Sequence, residues 1–278
     1  MKNTTALSAL AAAGGAAAFA LRLIQERIGF SPDTGLPIPG NLPARLLPVL
    51  LIFLGAALFL LVRRLPSHHP DPRPFQDVFS VQGSVTPLVC GIVLLALSGA
   101  AELRSVLFDS SSAASGGMLP TAAVLISGAL TALSALCLLP AVGSASAGRR
   151  SRSRRAAPPV LLLPAPTALV FRLVLDYRTC SANPALGAYA LELLALGFAA
   201  LAFFYLASFA FGDGSARIFS FLAGGAAVLC AAALADGLDF AQNTMFGGCV
   251  LIFLGFLCAL QPDTGRVRGS VVKEEEPL

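Results

Sequence analysis

Few side chains in this chain are able to do chemistry. Glu192 lies within Ala190-Leu191-Glu192-Leu193-Leu194, and Arg172 lies within another apolar run. A lone charge in hydrocarbon is costly, so such groups pair or face a cavity. The turn between their segments centres near Ser181. Arg172 is about nine residues before it and Glu192 about eleven after it, so each lies roughly 13 to 17 Å along its helix at 1.5 Å per residue. Antiparallel neighbours would hold them at similar depth, and the expected arrangement is a buried ion pair. Such a pair either fixes the hairpin or makes Glu192 a substrate or proton site.

Asp236, Asp239 and Asn243 have i, i+3, i+7 spacing, with Gln242 beside them. Continuous helix there would give one polar face. An ordinary turn with Asp and Asn capping the helix ends explains the same residue types. Glu102, at the end of another apolar run, could join this face. Glu26, Asp33, Asp109 and Asp176 are expected on the same side. The sum is a mildly acidic vestibule that attracts cations, weakly at physiological salt. A small solute or cation is the expected ligand class.

The missing chemistry is as informative. His68 and His69 are adjacent in a loop, which is a weak metal signal and leaves no histidine for a membrane-embedded haem or metal site. Lys2 and Lys273 stand near the ends, so no retinal Schiff base is possible. There is no H-E-x-x-H and no P-loop. Gly212-Asp213-Gly214 resembles the G-x-G-D of aspartyl intramembrane proteases, but position 210 is alanine and the aspartate ends a helix. Ala114-Ser115-Gly116 resembles a rhomboid serine motif, but Ala113 replaces its first glycine and no intramembrane histidine can act as base. Of six cysteines, Cys90, Cys137, Cys230, Cys249 and Cys258 lie in apolar runs, Cys180 lies in a loop, and none forms a CxxC pair. They read as packing residues and a free thiol. The expectation is a non-enzymatic protein without metal or cofactor.

These residues need elements to position them. Of 278 residues, 56% are hydrophobic and 12% charged. Soluble domains carry about twice that charged fraction. The charges fall between apolar runs, each approaching the ~20 residues that cross a bilayer. Eight segments are predicted: Thr4–Leu21, Ala44–Val62, Val85–Leu103, Met118–Val142, Pro159–Tyr177, Pro184–Phe211, Arg217–Leu234 and Thr244–Leu260. The fifth is the least apolar, with Pro164, Pro166 and Arg172 inside it. The predicted fold is an all-α polytopic bundle.

Loop charges orient it. With both termini cytoplasmic, the inside holds Lys2, Arg63, Arg64, Arg73, Arg149, Arg150, Arg152, Arg154, Arg155, Arg217, Arg266, Arg268 and Lys273. The outside holds only Arg22, Arg27, Arg45, Arg104, Arg172 and Arg178. Keeping the Arg149–Arg155 cluster and the tail on one side needs an even number of crossings between them, which supports the fifth segment independently. Lys2, an apolar stretch and Ala18-Phe19-Ala20 also suggest a signal peptide. The run exceeds a usual h-region and Arg22 follows closely, which favours a retained helix.

Two four-helix halves, 1–142 and 159–262, flank a basic linker at 143–158, and a disordered cytoplasmic tail follows at 263–278. The arginines at 149, 150, 152, 154 and 155 anchor topology and touch anionic lipid head groups. No loop has the interleaved aromatics of a nucleic-acid surface. Gly14-Gly15, Gly224-Gly225, Gly247-Gly248 and Gly255 allow close helix approach. Pro87, Pro120, Pro140, Pro164 and Pro166 predict kinks or helix ends.

The stretch Ser181-Ala-Asn-Pro-Ala-Leu-Gly-Ala-Tyr189-Ala-Leu-Glu192, with Phe203–Ala207 and Phe211–Gly214, resembles a segment of uncharacterised multi-pass membrane proteins from anaerobic Gram-positive bacteria. It covers about an eighth of the chain. The resemblance implies a bacterial cytoplasmic (inner) membrane and no mechanism. The leading expectation is a small transporter or membrane solute-binding component. The alternative is a non-enzymatic sensor, scaffold or assembly subunit that works through contacts with other membrane subunits.

Overall fold

Lipid offers no hydrogen bonds, so a chain this apolar satisfies its backbone within helices. The computed structural model describes residues 2–28, 42–65, 75–79, 85–108, 121–147, 158–180 and 186–261. Its helices are α1 (Lys2–Ile28), α2 (Leu42–Arg63), α3 (Phe75–Val78), α4 (Thr86–Phe108), α5 (Thr121–Ala147), α6 (Pro164–Cys180), α7 (Leu186–Ala210), α8 (Ala216–Ala233) and α9 (Phe240–Ala259). A 3₁₀ turn, Pro159–Leu162, leads into α6. Eight spans are long and apolar enough to cross a membrane, and α3 is the one short helix among the described residues. The protein is an all-α polytopic membrane bundle.

The fifth span forms despite its prolines because they sit at its start. Pro159 and Pro164 open the 3₁₀ turn and α6, where a missing N–H costs little. Pro48 and Pro140 instead lie inside α2 and α5. The first helix runs seven residues beyond the expected Leu21 because Arg22 and Glu26, one turn apart, form an ion pair at 2.9 Å.

Helices α8 and α9 form the centre, with 61% and 56% of their spans buried, against 22% for α2 at the periphery. Helix α8 packs on α1, α2, α7 and α9, while α4 lies between α5 and α9, and α6 between α5 and α7. Thus α1 and α4 pack on helices from beyond the basic linker, and the core is shared across it.

Small residues allow these approaches. A Cβ on Gly99 of α4 would stand 2.6 Å from the Ala132 nitrogen and 2.8 Å from the Gly128 oxygen of α5. One on Gly248 of α9 would stand 2.8 Å from the Gly91 oxygen of α4. Helix α4 is therefore pressed backbone to backbone against a neighbour on each side.

One end of the bundle is sealed by rings. Phe79 is fully buried, its ring centroid 5.0 Å from Phe75, 5.1 Å from Phe209, 5.3 Å from Phe219 and 5.4 Å from Phe256. Three of these contacts are edge-to-face, the arrangement that ring quadrupoles prefer. A bridge from Phe79 to Leu260, with Gln261 N donating to Val78 O at 2.8 Å, ties the short helix to the end of α9. At this end Arg217 donates to the Leu65 carbonyl at 2.8 Å and the Arg63 carbonyl at 3.3 Å, closing the C-terminus of α2.

Gly99→Ala should lower the melting temperature of the detergent-solubilised protein, since overpacking costs about 1–3 kcal/mol. Gly55→Ala, which meets nothing within 4 Å, should leave it unchanged. Equal melting of the two variants would contradict the described crossing.

Candidate functional site

The other end is polar. It collects the C-terminal parts of α1, α4 and α6, the N-terminal parts of α5, α7 and α9, and the turn between α8 and α9. Their antiparallel order makes these ends meet.

Helix α6 supplies Arg172 and, one turn on, Asp176, joined at 3.0 Å. The Arg172 Nη1 also donates to Glu102 Oε1 on α4. Glu192 on α7 accepts from Gln242 Nε2 on α9 at 3.0 Å, and its carboxyl lies against that of Asp176. Helix α1 supplies Arg22, whose Nε donates to Asp236 Oδ1 in the α8–α9 turn. Ser98 of α4 donates to the Ala241 carbonyl at 2.7 Å, fixing the start of α9 beside α4. Glu192 is within electrostatic range of Asp236, and Asp236 of Glu26, so the two arginine centres form one network. Glu102, Glu192, Asp176, Arg22 and Gln25 are all buried.

Among the described residues, Arg22 and Arg172 face five carboxyls, those of Glu26, Glu102, Asp176, Glu192 and Asp236. Several oxygens are also unused. Among the described residues, Gln25 Oε1, Asp236 Oδ2 and Asn243 Oδ1 are buried at this end without a hydrogen-bond partner, as Ser220 Oγ is elsewhere on α8, and the Ser127 hydroxyl lies against the Glu102 carboxyl.

The expected Arg172–Glu192 pair takes a different form. The two residues are near in depth and feel each other electrostatically, but Arg172 bonds Glu102 and Asp176 while Gln242 holds Glu192. Depth along a helix follows from residue count, whereas the direction a side chain takes around the helix depends on its neighbours. Of the second candidate set, Asp236 joins the network through Arg22. Asp239 is exposed and caps α9, accepting from Phe240 N at 2.8 Å. Asn243 does both: its Nδ2 donates to the Leu238 carbonyl at 2.7 Å and its Oδ1 stays unpartnered. The stretch is a turn with a capping Asp and not one continuous helix: Gly237, at φ +64°, lies before the Asp239 cap.

Sequence reasoning did not assign Arg22, Gln25 and Ser127 to the site, and it placed Asp176 and Gln242 only nearby. The i, i+4 spacing of Arg22–Glu26 and Arg172–Asp176 was the available signal. Asp213 of the protease-like motif is exposed in the turn after α7, remote from this network. No group of three or more His, Cys, Asp or Glu residues is placed to hold a metal ion among the described residues. The arginines at 149–155, His68, His69, Asp33 and Asp109 lie outside the described residues.

No protein-family model matches the chain, and neither the curated proteins nor the solved structures contain a match. Fold and site define the class by themselves: a multi-pass membrane protein with a buried polar network at one end.

Asp236 lies between the spans, and burial pushes its carboxyl up to about 6, with Arg22 opposing the rise. The folded state therefore holds a proton more tightly than the unfolded chain, whose carboxyl titrates near 3.8. Asp236 favours folding most below that lower value, and the contribution is lost as pH rises through about 6. Asp236→Asn should flatten the stability–pH curve across this window, measured by thermal denaturation in detergent. An unchanged slope would remove Asp236 as its source.

Proposed function

We propose that the protein is a small transporter or membrane solute-binding component that takes its solute at the polar end of the bundle. The carrying observation is the convergence of charged groups from α1, α4, α6, α7 and the α8–α9 turn on one network in which, among the described residues, three carboxyls face Arg172. Charged groups at membrane depth are rare and costly, and they mark solute and ion paths. A bridge serving only to hold helices together needs one partner for each charge. Here three carboxyls, those of Glu102, Asp176 and Glu192, share Arg172.

The aromatic seal at the opposite end supports an access route from the polar side. In a transporter, the Phe79 cluster is the part that must open when the site turns to face the other way. The excess of lysine and arginine in the other set of loops supports a polar end that faces outward.

Melting the detergent-solubilised chain against panels of small cationic, neutral and anionic solutes tests the reading. Wild type should gain several degrees with one class, as ligand at about 100-fold over Kd adds ~2.7 kcal/mol. Glu192→Gln should stay folded and lose that gain. Loss of folded Glu192→Gln, restored by also neutralising Arg172, would show a structural bridge instead. Indifference of wild type to every class would favour a sensor or assembly subunit.

A further inference from the structure

We infer that the outer surface where α2 meets α8, at the sealed end, binds an anionic phospholipid: Arg63 and Arg217 take its phosphate, and the rings of Phe59, Phe221 and Phe198 carry its acyl chain. This site shares no residue with the polar end and goes beyond the solute-binding reading.

Both arginines are held in place. Arg217 lies in the first turn of α8, and its Nε and Nη2 donate to the carbonyls of Leu65 and of Arg63 itself. It is thereby anchored on the last turn of α2. Its Nη1 makes no hydrogen bond among the described residues. The Arg63 guanidinium is fixed by a ring, its carbon 4.5 Å from the centre of Phe59, one turn back on α2. Arg63 is exposed and Arg217 half-buried. Neither makes an ion pair among the described residues. Asp213, four residues before Arg217, is exposed and makes none either. Guanidinium groups match phosphate oxygens with paired N–H donors. Two of them, anchored on one turn of α2 without a carboxylate partner, suit such an anion.

Their depth fits a head group. Arg63 closes the apolar span Arg45–Arg63, and Arg217 is the second residue of the span Ala216–Ala233. Both therefore stand where hydrocarbon gives way to head groups. One turn deeper the surface is aromatic. Phe59 of α2 meets Phe221 of α8 with ring centroids 6.2 Å apart, and Phe221 meets Phe198 of α7 at 6.4 Å. Phe59 is 46% exposed, and the other two rings are half-buried. On α8, Arg217 and Phe221 are four residues apart and so share one face. Helices α2 and α7 both pack on α8, and the Phe221 ring touches a ring of each, so this face runs between them. A phospholipid has the same order along its length, phosphate first and hydrocarbon after. A zwitterionic lipid brings its own ammonium group up to the two guanidinium groups, and free phosphate leaves the rings unused.

The test melts the full chain in detergent with added phosphatidylglycerol, phosphatidylcholine or inorganic phosphate. Phosphatidylglycerol should raise the melting temperature in a saturable way, and the other two should not. Arg63→Gln gives up only the side-chain contact with Phe59, so it should melt close to wild type without lipid. It should need ~5-fold more phosphatidylglycerol for half the effect, the equivalent of ~1 kcal/mol for one arginine at an anionic surface. Arg104→Gln, which alters an exposed arginine on α4 toward the polar end, should respond as wild type does. Equal stabilisation by both lipids would overturn the proposal and leave unselective lipid contact. A full response to phosphate alone would overturn it in favour of a free-anion site. The same loss in Arg63→Gln and Arg104→Gln would also overturn it, since attraction would then be spread over the whole surface. If Arg63→Gln does not fold, native mass spectrometry of wild type decides. Retention of phosphatidylglycerol over an equal amount of phosphatidylcholine supports the site, and equal retention overturns it. Failure here leaves the solute-binding reading standing, because the solute panels probe the other end of the bundle.

Discussion

The cost of a charge without a partner in an apolar interior governs this structure. Arg172 is half-buried, and its guanidinium reaches two carboxyls on two helices, Glu102 of α4 and Asp176 of its own α6. Breaking one side of such a contact leaves a buried charge uncompensated, which costs about 3–5 kcal/mol. The contact therefore constrains how α4 and α6 sit with respect to each other. Arg22 and Asp236 play the same part between α1 and the α8–α9 turn. Helix α1, which reads like a leader segment, thereby becomes part of the site.

The polar end is workable because the rest of the bundle is packed without side chains at critical points. Gly91, Gly99, Gly128 and Gly248 let α4 touch α5 and α9 almost at backbone contact. Oily surfaces gain little by leaving lipid for each other, so close van der Waals fit carries more of the association than it does in water. Gly99 and Gly128 sit beside Ser98, Glu102 and Ser127, so the tightest packing lies next to the polar end. At the far end, Phe79 and its ring neighbours give dense apolar closure. The bundle is thus polarised along its axis, sealed at one end and charged at the other.

How far the sequence could be read varied with the range of the interaction. All eight spans were legible, because span length and apolar composition are local properties set by bilayer thickness. Even the proline-bearing fifth was recoverable, from the parity of loop charges. The short helix at Phe75–Val78 was not, since four residues carry no periodic signal. Glu192, Arg172, Glu102 and Asp236 stood out as ionisable groups at or near membrane depth. The glycines Gly91, Gly99 and Gly128 passed unremarked among many others, because a glycine shows its role only when a second backbone lies against it.

The sequence by itself determined that the chain is apolar enough to span a membrane, the eight spans, and the position of each charged group along its helix. These follow from apolar run length, from a fixed rise per residue and from the alternation of helix direction. Only the tertiary structure decided the partners: Arg172 with Glu102 instead of Glu192, Glu192 with Gln242, Arg22 with Asp236. Partner choice depends on which helices are neighbours and how each is rotated about its axis. Those are set by packing across long sequence separations, such as the 214 residues between Arg22 and Asp236, which no local pattern encodes.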